Sequence, residues 1–106
     1  MTGYVMVLTT TSSETEAETI AEALLAEELA ACVQILEIRS RYVWKGAVRR
    51  EPEQLLLIKT RAALFELVRG RIRVLHSYDT PEIVALPVAA GDADYLSWMA
   101  GATRPG

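Results

Sequence analysis

The most constraining feature of the chain is a pair of long β-type runs joined by one tight turn. From Cys32 to Trp44, the apolar and β-branched residues Val33, Ile35, Ile38, Tyr42, Val43 and Trp44 are set among polar neighbours, the pattern of an extended strand. Lys45-Gly46 follows as a turn signal, since glycine accepts the positive φ that tight hairpins require. The return run carries Ala47 and Val48, then Gln54 to Thr60, and Pro52 predicts a bulge or bend around Glu51-Pro52-Glu53 because proline cannot donate to a ladder. A strand of this length reaches roughly 40 Å at ~3.3 Å per residue, whereas a domain of this size has a radius of gyration of only about 13 Å. The hairpin tip must overhang. Its Tyr42, Val43 and Trp44 are costly to expose and typical of interface anchors, so they are covered either by identical subunits or by the hairpin curling back on its own sheet.

The flanking segments supply the remaining elements. Tyr4 to Thr10 reads as a buried strand. Ser13-x-x-Glu16 has the capping-box pattern, in which the serine accepts an orphan amide and the glutamate reaches back. Ala17, Ile20, Ala21 and Leu24 then give one apolar face to a helix running to about Ala31. Thr60 is the expected N-cap of a second helix, where Leu64, Val68, Ile72 and Leu75 recur at helical spacing with Phe65 beside them. His76 to Pro81 is turn chemistry. Glu82 to Val88 is a fourth strand, placed at an edge by Pro87, and Asp92 opens a third helix, Ala93 to about Ala100. The tail from Gly101 to Gly106 is expected to fray. The order β-α-β-β-α-β plus a C-terminal helix predicts an α+β, ferredoxin-like sandwich, one domain over residues 1–106, with two helices on one face of a four-stranded antiparallel sheet.

Composition narrows the function. The longest nearly apolar stretch, Ile83 to Ala90, is far too short to cross a bilayer, and the N-terminus lacks the basic head of a secretory signal. A net charge of −3 argues against nucleic acid, and Arg61, Arg69, Arg71 and Arg73 read as a solvated helix face. Cys32, the single cysteine, cannot form an intrachain disulfide and suits a reducing compartment such as the cytoplasm. No Gly-x-Ser-x-Gly, Gly-x-x-x-x-Gly-Lys, His-Glu-x-x-His or Cys-x-x-Cys is present, so a binding protein without an organic cofactor is expected rather than an enzyme.

Four residues are candidate metal ligands. His76, the single histidine, offers an imidazole, a common metal ligand, but a histidine beside a turn equally serves as a hydrogen-bonding residue. Asp79 and Glu82 can supply oxygens nearby. Cys32 is either a packed thiol or, once deprotonated, a ligand for a soft metal. One histidine and carboxylates bind copper or zinc weakly, so such a site is expected to be completed between subunits.

Five motifs taken in order carry a family resemblance: Leu29-Ala30-Ala31-Cys32-Val33; Ser40-Arg41-Tyr42-Val43-Trp44-Lys45-Gly46; Glu53 with Leu57-Ile58-Lys59-Thr60; His76-Ser77-Tyr78-Asp79-Thr80-Pro81-Glu82-Ile83; and Asp94-Tyr95-Leu96-Ser97-Trp98. Together they resemble the CutA family of divalent-cation tolerance proteins almost end to end. The resemblance implies a ferredoxin-like subunit in a compact homotrimer similar to PII signalling proteins, with long hairpins packed on neighbouring subunits. It also implies a role in tolerance of, or response to, divalent metals, copper foremost. Against the copper-binding bacterial pattern of that family, Thr9 stands in place of a cysteine and Leu75-His76 in place of adjacent histidines. Lys59, Tyr78, Tyr42, Trp44 and Tyr95 lie in the family-like motifs and either line a pocket between subunits or pack an interface. The second functional expectation is a PII-like regulatory scaffold that binds a small metabolite or partner protein at inter-subunit clefts.

Overall fold

The computed structural model describes residues 1–106. Four strands form one antiparallel sheet in the order β2-β3-β1-β4: β1 Tyr4–Thr11, β2 Cys32–Trp44, β3 Ala47–Arg61 and β4 Val84–Pro87. Helices α1 (Glu14–Ala26) and α2 (Phe65–Leu75) pack on one face, and α3 (Ala93–Ala102) follows β4. This is the expected ferredoxin-like arrangement with its long β2-β3 hairpin and terminal helix.

The period-two alternation of the central strands separates the two sheet faces. Val7, Leu56 and Ile58 point to the helices and are fully buried with Ile20, Leu24, Val68 and Ile72. Complete burial of each such side chain stabilises the fold by about 1.5–3 kcal/mol. Met6, Leu8, Leu55, Leu57 and Leu36 alternate with these core residues and so occupy the opposite face. That face is covered by α3 only at one end, where Arg61 donates to the Ala100 carbonyl and to the Thr103 hydroxyl.

The hairpin turns through Lys45 and Gly46, both at positive φ (51° and 77°), as a two-residue connection whose twist matches its strands. Nothing lies near a Cβ built on Gly46, so the backbone conformation rather than space favours glycine there. Every residue from Arg41 to Arg50 is exposed, and the chain is 44 Å long against 26 Å and 22 Å in the other directions.

Several local expectations are corrected. β2 and β3 pair without interruption from Cys32↔Lys59 to Trp44↔Ala47, so there is no bulge at Pro52. β1 ends at Thr11, opposite Gln54, so beyond that point β3 is paired on one side only and Pro52 needs no donor towards β1. Helix α1 stops at Ala26 rather than Ala31 because Glu28 adopts φ 56°, and the Leu29 and Ala30 amides turn back to the Leu24 carbonyl. Ser13 caps as expected, accepting from the Glu16 amide at 3.1 Å. The Glu16 carboxylate, however, accepts from the Ser77 hydroxyl at 3.2 Å. Thr60 is not an N-cap: it is a buried β3 residue whose hydroxyl donates to the Leu29 carbonyl, and a short 3₁₀ turn, Ala62–Leu64, precedes α2. The tail is pinned rather than frayed as far as Arg104, whose guanidinium donates to the Glu27 carbonyl and whose amide donates to that of Glu28.

Candidate functional site

Two features of the molecule are open to a ligand or a partner: a cleft beside the hairpin, and the uncovered sheet face. The cleft, about 660 Å³, lies between Thr10, Ser40, Arg41, Tyr42, Trp44 and Glu53 on the sheet side and the segment from Tyr78 to Glu82.

His76 sets the position of that segment. It directly follows α2, and its side chain is 0% exposed. Nε2 lies 2.7 Å from the Thr10 carbonyl oxygen and Nδ1 lies 3.1 Å from the Tyr78 amide nitrogen. A carbonyl must receive a proton and an amide must give one, so the ring is the neutral tautomer protonated at Nε2. The Glu16 carboxylate stands 3.6 Å from Nδ1. The Tyr78 ring packs against the imidazole with centroids 4.8 Å apart, and its hydroxyl donates to Glu53 Oε2 at 2.8 Å. The end of β1 thus positions the hairpin base through His76, Tyr78 and Glu53.

Desolvation, followed by the hydrogen bond to Glu53 and its negative charge, pushes the Tyr78 phenol well above the ordinary tyrosine range. Desolvation and then Glu51 raise Tyr42 as well. Since the folded value for Tyr78 exceeds the unfolded one, its contribution to stability is full below pH ~10 and declines as pH rises towards the folded value. Ultraviolet titration of the phenols should therefore show one tyrosine ionising last. Glu53→Gln should move it down while leaving an acceptor for its hydroxyl, and Tyr78→Phe should reduce the alkaline loss of melting temperature.

The expected metal ligands do not assemble within the chain. The His76 ring is buried with both nitrogens engaged, while Asp79 and Glu82 are exposed at the cleft. Cys32 pairs with Lys59, six residues along β3 from Glu53 and therefore roughly 20 Å away. No three histidine, cysteine, aspartate or glutamate side chains form a group that can hold a metal ion. The five expected pocket residues fall into two sets. Tyr42, Trp44 and Tyr78 line the cleft. Lys59 and Tyr95 meet at the other end of the open face, with Lys59 Nζ 3.4 Å from the Tyr95 hydroxyl and Trp98 beside that ring. Glu53, the carboxylate at the centre of the cleft, belongs to a family-like motif but is absent from the site residues expected from sequence. Its signal is a lone acid on the apolar face that continues through Leu55 and Leu57.

The uncovered face is largely apolar, interrupted by Gln34 on β2 and Lys59 on β3. In register across the sheet, Gln34, Leu57, Leu8 and Val84 form one row, and Cys32, Lys59, Met6 and Leu86 the next. Leu36, Val84 and Leu86 are about half exposed, at 48%, 46% and 50%.

Comparison with known proteins points in one direction. A family model described as CutA1 divalent ion tolerance protein matches residues 5–102. A relative from Thermus thermophilus, named divalent-cation tolerance protein CutA, is 48% identical over 95 residues, covering 89% of this chain and 92% of its own. A solved Thermus thermophilus structure, described as a divalent cation tolerance protein, superposes with a TM-score of 0.92 at 46% identity, covering 95% of this chain and 99% of that one. A structure described as the periplasmic divalent cation tolerance protein CutA from Archaeoglobus fulgidus gives a TM-score of 0.92 at 37% identity, covering 93% and 97%.

Proposed function

Because this chain belongs to the CutA1 divalent ion tolerance family, we propose that it serves tolerance of, or response to, divalent cations as a non-enzymatic homotrimer whose cation sites are completed between subunits. The bare apolar sheet face carries this reading. A patch of leucines, valines and methionine on one side of a sheet is unfavourable in water and marks a surface that a partner covers. The outer edges of β2 and β4 are both unpaired and differ from one another, so a contact between them across copies is head-to-tail. Contacts of that kind close into rings, which suits the trimer implied by the family resemblance.

The ion is taken from the family resemblance, and the donors set how it is held. A divalent transition metal needs several ligands, and one chain offers at the cleft the carboxylates of Asp79, Glu82 and the more buried Glu53, with no free imidazole or thiol among the lining residues. A second copy supplies the rest, and copper(II) is the proposed ion. Calorimetric titration of the native assembly with Cu²⁺ is expected to saturate, and Asp79→Asn with Glu82→Gln to weaken binding by ~10-fold or more, the scale of losing even an outer-shell partner. Unchanged affinity in the double variant would contradict these donors. Equal affinity in His76→Ala would remove His76 from the ligand set.

The cytoplasm is the proposed compartment, where an unpaired Cys32 stays reduced. No helix is long and apolar enough to cross a membrane. The cleft also favours the second reading, a regulatory scaffold that takes a small polar ligand, because three aromatic residues and a majority of polar and charged ones converge on it.

A further inference from the structure

We propose that the hairpin cleft is a receptor for a primary ammonium group, carried either by a free alkylamine or by Lys45 of a second copy. This rests on the scaffold reading of the cleft and is independent of the metal. The central observation is Glu53, a carboxylate only 6% exposed that has no cationic partner. The ion pairs of the chain join Arg69 to Glu66 and Arg71 to Glu27, the neutral His76 stands by Glu16, and none of these groups reaches Glu53. Its one hydrogen bond comes from the Tyr78 hydroxyl to Oε2, which leaves Oε1 without a bonded donor. A carboxylate this far withdrawn from water is normally paired, and Oε1, which keeps contact with the cleft, is the oxygen a cation can reach. The guanidinium of Arg41, the one basic group lining the cleft, donates instead to the Ser40 carbonyl.

The surroundings of Glu53 select the kind of cation. Tyr42, Trp44 and Tyr78 give the cleft aromatic walls, and Asp79 and Glu82 keep its potential negative. Aromatic faces attract organic cations. A metal would require three or more converging donors, which the subunit does not provide. An ammonium group needs a single carboxylate, an aromatic face and one or two oxygens, and the Thr10 and Ser40 residues bordering the cleft carry hydroxyls. The N–H groups of a primary ammonium satisfy the free oxygen of Glu53, which a quaternary ammonium cannot do. Of the two lysines in the chain, Lys59 is held by Tyr95, while Lys45 stands at the exposed hairpin tip.

The test is calorimetric titration of the native assembly with n-butylammonium chloride, with n-butanol and tetramethylammonium as controls, alongside sedimentation. If the head group is a free amine, n-butylammonium binds and both controls bind more weakly. Glu53→Gln, which keeps the shape and the acceptor for Tyr78, then weakens it by ~10-fold or more, the scale of one charge-assisted hydrogen bond. Tyr42→Leu, at an exposed position that does not threaten the fold, weakens it by about two- to fivefold. If Lys45 of a second copy fills the cleft, the probe does not bind, and Glu53→Gln and Lys45→Met each weaken self-association by a similar factor. Equal probe affinity in native protein and Glu53→Gln, or no binding together with unchanged association in both variants, overturns the proposal. Absence of Cu²⁺ binding to the native assembly, with n-butylammonium binding intact, would reject the metal reading alone.

Discussion

Leu57→Lys is expected to leave the subunit folded and to disperse the assembly into single chains. Leu57 lies in the middle of β3 on the face away from α1 and α2, opposite Leu8 on one side and Gln34 on the other. In a lone subunit it is only partly buried, so a lysine there can extend its stem over the leucines and keep its ammonium in water. When a second copy covers that face the same ammonium loses its water with no carboxylate in the row to meet it. The penalty for such a buried, unpaired ion is several kcal/mol, on the order of 10³-fold in the dissociation constant of each contact. Circular dichroism should show native secondary structure, and sedimentation velocity should show the slow species. Val74→Lys is the control: it lies on α2 at 75% exposure and should change neither. An unaltered sedimentation coefficient in Leu57→Lys would mean that this face is not where copies meet.

The second large effect is expected at His76. Replacing it by alanine removes a fully buried ring and leaves the Thr10 carbonyl and the Tyr78 amide without their partners. Each stranded group costs about 1–3 kcal/mol, so a total of roughly 3 kcal/mol or more is expected. That corresponds to a fall in melting temperature of at least ~10 °C for a domain of this size. His76→Asn should recover part of the loss, because an asparagine oxygen can accept from the amide two residues on but does not reach the Thr10 carbonyl. Both variants should be compared with native protein at one concentration, since assembly itself raises the apparent stability. A melting temperature unchanged in His76→Ala would show that the segment from Tyr78 to Glu82 is held by other contacts.

The topology was readable because each element announces itself within a few residues. Leu64, Val68 and Ile72 mark one helix face, and the alternation around Leu56 and Ile58 marks a strand. The overhang of the hairpin followed from strand length alone, and the motif order carried the family. Expectations failed where a local signal was overruled by its surroundings. Pro52 signals a break only if its amide is needed, and at that point β1 has already ended. The Ala-rich run after Leu24 favours more helix than forms, because Glu28 takes the left-handed conformation and sends Leu29 back towards the helix. Thr60 looks like a cap but is drawn into the sheet by the Leu29 carbonyl. The cleft was the least readable part. Glu53 and Tyr78 are 25 residues apart, and His76 and Thr10 are 66 apart, so only the packed fold brings these groups together. Seen alone, His76 is a free imidazole. In the structure both its nitrogens are committed.

Copies covering one another's apolar sheet face is the claim on which the oligomer, its shared cation sites and the Lys45 alternative all depend. Light scattering coupled to gel filtration tests it most directly. Native protein at micromolar concentration should elute as one species of about three times 11.7 kDa, with no change on dilution. A stable species of 11.7 kDa under the same conditions would contradict it.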